Sequence, residues 1–405
     1  MSRSRAFWKK SGARRNENRH QTILFSLDPF QKGCNYPQPR ALNPQYMPNS
    51  PRPSSRQIKT IEHPGWLESH ATLQGPASAE DLHQAREQLP GGMEAAVLGV
   101  DLFGTAAEIS GMEEAVKRAG ISAPVTSVLS SSPCGGGVQF VAVTGIEPSP
   151  LVLRDRLRGY LIEGRGSSHC FLGGLLPGDP GASRGDQTQD VFATIEETLA
   201  LAGMGFEDVV RTWFYNERIL EWYPAFNGVR TEFFERHAIT RMPASTGIGA
   251  PNPAGTALVA KALAVRPGAG EIRVCHSPLQ CDAFAYGSAF SRALEVSDSC
   301  SRTLYISGTA SIDPVGQSTR LGDAAGQIGL TMDVVRAIID EAGMKPADAT
   351  RAIAYFRDPA HVPLWDRFCP PGLPSVSLGC HVCRDDLLFE IEIDVSTTVT
   401  IAFPH

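Results

Sequence analysis

The chain has 405 residues, 42% of them hydrophobic and 20% charged. That is enough for about two or three domains and too balanced for a disordered or supercharged binder. No run of about 18 apolar residues occurs, so no transmembrane helix is expected. Nine cysteines, an odd number without a secretory leader, argue against a disulfide scaffold and for a reduced, cytoplasmic protein.

The net charge of −6 is unevenly spread. Residues 1–60 hold 12 Lys/Arg against Glu17 and Asp28, net +10, and the remainder holds 25 against 41, net −16. So acidic a body excludes a broad nucleic-acid surface, which needs clustered cations. Residues 1–60 also contain seven prolines, from Pro29 to Pro53, and no lasting period. They read as a disordered basic extension, with structure beginning near Ile61–Trp66.

Residues 61–165 read as an N-terminal α/β domain. A helix is predicted over 78–90, opened by Ser78 with acids in its first turn. Strands are predicted over 94–103 and 137–144, separated by Gly, Ser and Pro clusters.

An internal repeat follows. Residues 190–215 have a counterpart in 331–356, and the pairs Asp208/Asp348 and Arg211/Arg351 are each 140 positions apart. Each copy reads as an amphipathic helix, a Gly stop and a strand. Upstream, CFLGGLLPGD (170–179) matches LYISGTASID (304–313), and downstream two further strands match. The pattern predicts an α+β architecture of tandem domains, 166–265 and 266–405, with mixed sheets and helices packed on one face.

Chemistry is expected where the copies differ. LFEIEID places Glu390 and Glu392 on one strand face, where the first copy, aligned by sequence, has Ala260 and Ala262. Such carboxylates either face solvent or belong to a site. The adjacent turn CHVCRDD (380–386) favours a site, in which a partly buried Glu390 would act as a proton donor. Cys380 and Cys383 lack the further ligands of a zinc site and precede a turn rather than open a helix, so Cys383 reads as a lone pocket thiol.

Arg211, Trp213 and Tyr215 share one strand face, as do Arg351, Ile353, Tyr355 and Arg357. Arginine there suits either carboxylate capture or an ion pair with Asp208 or Asp348. No phosphate loop, dinucleotide fingerprint or H-x-x-x-H pair occurs, so no metal or cofactor is expected.

Segments TWFYNERILEWYPAFNGVRTEFFERHAI, SPLQCDAFAYGSAFSRALEV, YISGTASID and CRDDLLFEIEIDV resemble the chorismatase family over about 75–403. The repeat unit resembles the RidA (YjgF) fold, whose members are trimers with sites between subunits. The resemblance implies tandem RidA-like (chorismate mutase-like) domains that mimic part of that ring, with 75–165 as a degenerate third copy. It also implies a monomer or low-order homo-oligomer whose partner is a small molecule, with no nucleic acid and no membrane.

The implied activity is cofactor-free cleavage of the enolpyruvyl ether of chorismate, releasing pyruvate. Glu390 matches the family's motif glutamate and is implied as general acid. Cys383, seven residues before it, is similar to the cysteine of 3-hydroxybenzoate synthases. Arg165, Arg211, Tyr215, Arg292 and Arg357 are the candidates for holding the substrate's carboxylates, because the RidA carboxylate-binding arginine is replaced in LPSVS by Ser375 or Val376. The alternatives are a dihydroxycyclohexadiene carboxylate product, 4-hydroxybenzoate, or a non-catalytic carboxylate-binding protein. Enamine deamination is disfavoured by the missing arginine.

Overall fold

The computed structural model describes residues 56–131 and 135–399, all within a compact unit spanning residues 49–405. The expected extension lies outside the described residues up to residue 55. The first strand starts at Arg56, ahead of the expected start.

Three modules follow one another. The first contains β1 (Arg56–His63), β2 (Trp66–Gln74), α1 (Ala79–Glu87), β3 (Ala96–Gly104), α2 (Ala106–Arg118), β4 (Val125–Leu129) and β5 (Gly137–Thr144). The second contains β6 (Ser149–Leu153), β7 (Arg156–Glu163), β8 (Ser168–Leu175), α3 (Arg184–Leu201), β9 (Val209–Asn216), α4 (Tyr223–Arg236), β10 (Ala244–Ile248) and β11 (Leu258–Arg266). The third contains β12 (Glu271–Cys275), β13 (Ala293–Ser297), β14 (Ser301–Ala310), α5 (Ala324–Glu341), β15 (Ala349–Phe356), β16 (Ser375–Gly379) and β17 (Phe389–Thr398). A 3₁₀ segment at 359–367 stands where the second module has α4.

The sheet orders are β1-β2-β5-β3-β4, β6-β7-β8-β11-β9-β10 and β12-β13-β14-β17-β15-β16. The second and third are the same topology, and the first is that topology without its leading strand. Local chemistry supports the elements. Ser78 and Thr105 open α1 and α2 through reciprocal capping boxes with Asp81 and Glu108.

Each sheet buries one face under its own helices, giving three separate apolar clusters. The opposite faces meet in a common core that includes Phe103, Trp213, Tyr215, Tyr305, Ile353 and Val376. The modules close into a ring: β4 packs on β8, β10 on β14, and β16 on β2. One correction concerns β6 and β7. Sequence reading placed 149–163 in the N-terminal domain, but their ladder joins β8 of the second sheet. Pairing of that kind is non-local, and no periodicity within the segment reports it.

Candidate active site

The strand face expected to hold substrate is buried where the modules meet. Arg211 is wholly enclosed. Its Nη2 lies 3.1 Å from Glu392 Oε2 and donates to Thr246 Oγ1 at 2.8 Å. Arg351 reaches Glu392 at 2.7 Å and Asp394 at 2.9 Å, and Trp213 Nε1 donates to Glu392 at 2.8 Å. Burial opposes charge on Glu392, but Arg351 and Arg211 outweigh it and hold the carboxyl below its ordinary range.

Arg211 and Tyr215 are therefore structural members of the core rather than carboxylate ligands. Arg211 is not paired to Asp208 either, which binds Arg266. Strand periodicity correctly put these side chains on one face; what lies against that face is set by the third module.

Ladder register also corrects the comparison between copies. Tyr355 pairs with Glu390 and Ile353 with Glu392, while Tyr215 pairs with Val259 and Trp213 with Lys261. The true equivalents of Glu390 and Glu392 are thus Val259 and Lys261, one residue before the alanines chosen by alignment. In the first module, Phe103 pairs with Gly137 and Asp101 with Gln139. Of the three module junctions, only the one between modules two and three carries a carboxylate at the Glu390 position.

At that junction lies a cavity with about 500 Å³ of space free of atoms, part of it open to solvent. Module two contributes Tyr223 and Arg230 from α4 and Ser245 and Gly247 from β10. Module three contributes Phe290, Arg292, Gly308, Cys383, Arg384 and Glu390. The junction is stitched by Gly308 N donating to Thr246 Oγ1 at 3.1 Å and Ser245 N donating to Ser307 Oγ at 2.8 Å. A β-bulge between Ile306 and Thr309 sets Gly308 opposite the start of β17. A Cβ at Gly308 would fall far inside van der Waals distance of Glu390 Oε1, so glycine is needed there to seat the carboxyl.

Glu390 is 4% exposed, and no hydrogen bond among the described residues holds its carboxyl. Burial first, and then the charge of Glu392, push it up to about 8, against partial compensation by Arg292, Arg211 and Arg384. It is a neutral acid at neutral pH, next to guanidinium groups suited to anions. Burial and then the Glu390 charge push the Cys383 thiol up to about 12. It lines the wall as a thiol and is no nucleophile.

Of the other expected residues, Arg292 lines this cavity. Its Nε donates to Cys281 O at 2.9 Å and its guanidinium lies 5.7 Å from the Phe290 ring. Arg165 is exposed in a separate depression beside Pro64 and Asp298. Arg357 pairs with Asp385 at 3.1 Å and does not line the cavity. The LPSVS segment leads into β16 and also lies outside the lining.

Sequence reading missed Arg230, Tyr223 and Arg384. Arg230 is 2% exposed although it sits on a helix, and its guanidinium lies over Phe226 and Phe290 at 5.4 and 5.8 Å. A larger void lies along the module junctions, but its lining charges pair with one another, Asp101 with Lys261 and Arg351 with Asp394.

Residues 170–262 match the family model described as endoribonuclease L-PSP. Among solved structures, a chorismatase has 19% identity and a TM-score of 0.59, covering 84% of this chain and 98% of its own. RidA from an Antarctic Psychrobacter species (18% identity, TM-score 0.26) and yeast Mmf1 (14%, 0.26) each cover 31% of this chain. They are themselves covered over 99% and 98% of their lengths. None of the curated proteins matches the chain in sequence. At this identity the chorismatase likeness establishes the fold alone, and the RidA-like character rests on the family model over residues 170–262, whose sheet topology recurs in the third module.

Proposed function

We propose that the chain is a chorismatase, cleaving chorismate to pyruvate and 3-hydroxybenzoate at the junction of modules two and three. The observation that carries this is the neutral, buried Glu390 carboxyl facing a cavity that also holds Arg230, Arg292 and Arg384. Chorismate is a dianion, and these guanidinium groups suit its two carboxylates. Phe290 and Tyr223 supply apolar walls for its ring.

Glu390 delivers its proton to the methylene carbon of the enol ether, leaving an oxocarbenium ion and a carboxylate that the nearby arginines stabilise. Water adds to that ion and the C–O bond breaks, releasing pyruvate and returning a proton to Glu390. Loss of one water from the ring then gives the aromatic product, so no net water is consumed. Cys383 supports the 3-hydroxybenzoate outcome over the dihydroxydiene through its resemblance to the cysteine of 3-hydroxybenzoate synthases. Modules two and three of one chain line the cavity together, which favours a monomer, and the chemistry calls for no cofactor.

The test is incubation of purified protein with chorismate, with pyruvate counted and the ring product identified by mass spectrometry. Equimolar 3-hydroxybenzoate and pyruvate support the full reading. A non-aromatic diene with pyruvate keeps the proton delivery and overturns the product assignment. No pyruvate at all leaves a carboxylate-binding protein as the reading that stands.

A further inference from the structure

At the other end of the strands that hold the cavity, the ring of modules gathers a second cluster of polar side chains. His63, Glu68 and His169 are 5%, 2% and 4% exposed, and each offers a ligand atom within 4.8 Å of the others'. They come from β1, β2 and β8, so two modules contribute. Ladder register makes Glu68, His169 and Thr303 equivalent positions on the three sheets, and the cluster therefore surrounds the axis of the ring. Thr303 lies five residues along β14 from Gly308, about 16 Å of strand, so the cluster is remote from the Glu390 cavity.

We infer that His63, Glu68 and His169 form a binding site for one divalent transition-metal ion of the zinc type, clamping modules one and two. Two imidazoles and a carboxylate are the donor set such ions take. His63 Nε2 and Glu68 Oε2 share a hydrogen bond at 3.3 Å, a spacing close to the edge of a tetrahedron built from bonds of about 2.0–2.1 Å, so that a metal ion would take the place of the bridging proton. The outer contacts are those of an oriented ligand set. His63 Nδ1 faces Asp298 Oδ2 at 2.7 Å, from the turn between β13 and β14 of module three. The second Glu68 oxygen is held by His70 Nε2 at 2.6 Å. Carboxylates behind ligating histidines fix the tautomer that leaves the other nitrogen free for metal.

His169 provides the independent sign of a ligand. Its Nδ1 is buried without a hydrogen-bond partner among the described residues, and its ring is fixed edge-on to His63 and Trp66 at 4.9 and 5.1 Å. A buried imidazole whose nitrogen bonds nothing is costly unless something binds it. A small cavity bordered by His63, His169, Asp298 and Thr303 adjoins the cluster. Positions 63, 68 and 169 form no recognisable metal spacing in the sequence, because the strands of two modules bring them together.

The test is titration of untagged, chelator-treated full-length protein with Co²⁺, read by its visible d–d absorption, followed by displacement with Zn²⁺. The expected result is saturation at one ion per chain with the intense bands of a four-coordinate site. Zn²⁺ should also raise the unfolding temperature of the wild type. His169→Ala and the near-isosteric His169→Gln should each weaken binding by 100-fold or more, and Glu68→Gln likewise. A cooperative unfolding transition in each variant shows that it is folded. Absence of saturable binding, or Co²⁺ spectra and affinity unchanged in folded His169→Gln, overturns the assignment.

Discussion

Glu390→Gln should change how stability responds to pH, because the native carboxyl holds its proton long after an unfolded one has lost it. Burial and the Glu392 charge move Glu390 from 4.5 to about 8. The unfolded chain therefore releases this proton near 4.5 and the native state only near 8. Between those values the unfolded state binds fewer protons, so stability falls as pH rises, and it levels off above about 8. A shift of that size corresponds to roughly 5 kcal/mol for a fully buried group.

Glutamine keeps the shape and carries no charge, so the variant lacks this loss. Its stability relative to wild type should improve by roughly 3–5 kcal/mol between pH 4 and pH 9. Urea unfolding of both proteins across that range measures the difference, and titration of groups not coupled to Glu390 cancels. A difference that stays flat with pH would refute the buried, neutral carboxyl.

Turnover should follow the same group. With the proton required on Glu390, kcat/KM for pyruvate release should be high below about 8 and decline as pH rises through it; a profile flat from pH 6 to 9.5 contradicts that. Gly308→Ala should push the carboxyl out of line, lowering kcat/KM about 100-fold while costing only about 1–3 kcal/mol of stability. Retention of near-native kcat/KM would show that Gly308 does not seat the acid. Glu392→Gln leaves Arg211 and Arg351 buried with too little opposing charge, and should cost about 3–5 kcal/mol in urea unfolding. A neutral result would mean that the junction network is not holding those charges.

Features that depend on local residues are legible in the sequence, and features that depend on packing between modules are not. The helices, the strand alternation and the 140-residue repeat follow from periodicity and spacing, and the modules repeat one topology accordingly. The tandem copies also pointed to Glu390, because a carboxylate in an apolar strand stands out. Its true counterparts, Val259 and Gly137, emerged only from ladder register, which sets the last strands one residue out of step with an alignment made on their apolar pattern.

Arg211 and Tyr215 were misread for a related reason. A strand face is legible in sequence, but whether it meets solvent, ligand or another sheet is not. Arg230 was passed over because an arginine on a helix normally faces water. Here Phe226 and Phe290 cover it and turn it into the cavity wall. Resemblance to a known family suggested the chemistry proposed for Glu390 and Cys383, whereas packing between modules selected the arginines.

In the proposed reaction Glu390 protonates the enolpyruvyl group of chorismate. The most direct measurement is pyruvate release from saturating chorismate by wild-type and Glu390→Gln protein, with folding of both checked by their unfolding transitions. Steady release by the wild type and a fall of about 10²–10⁴-fold in the variant, the range for loss of a general acid, are expected. Near-native release by folded Glu390→Gln would contradict that role.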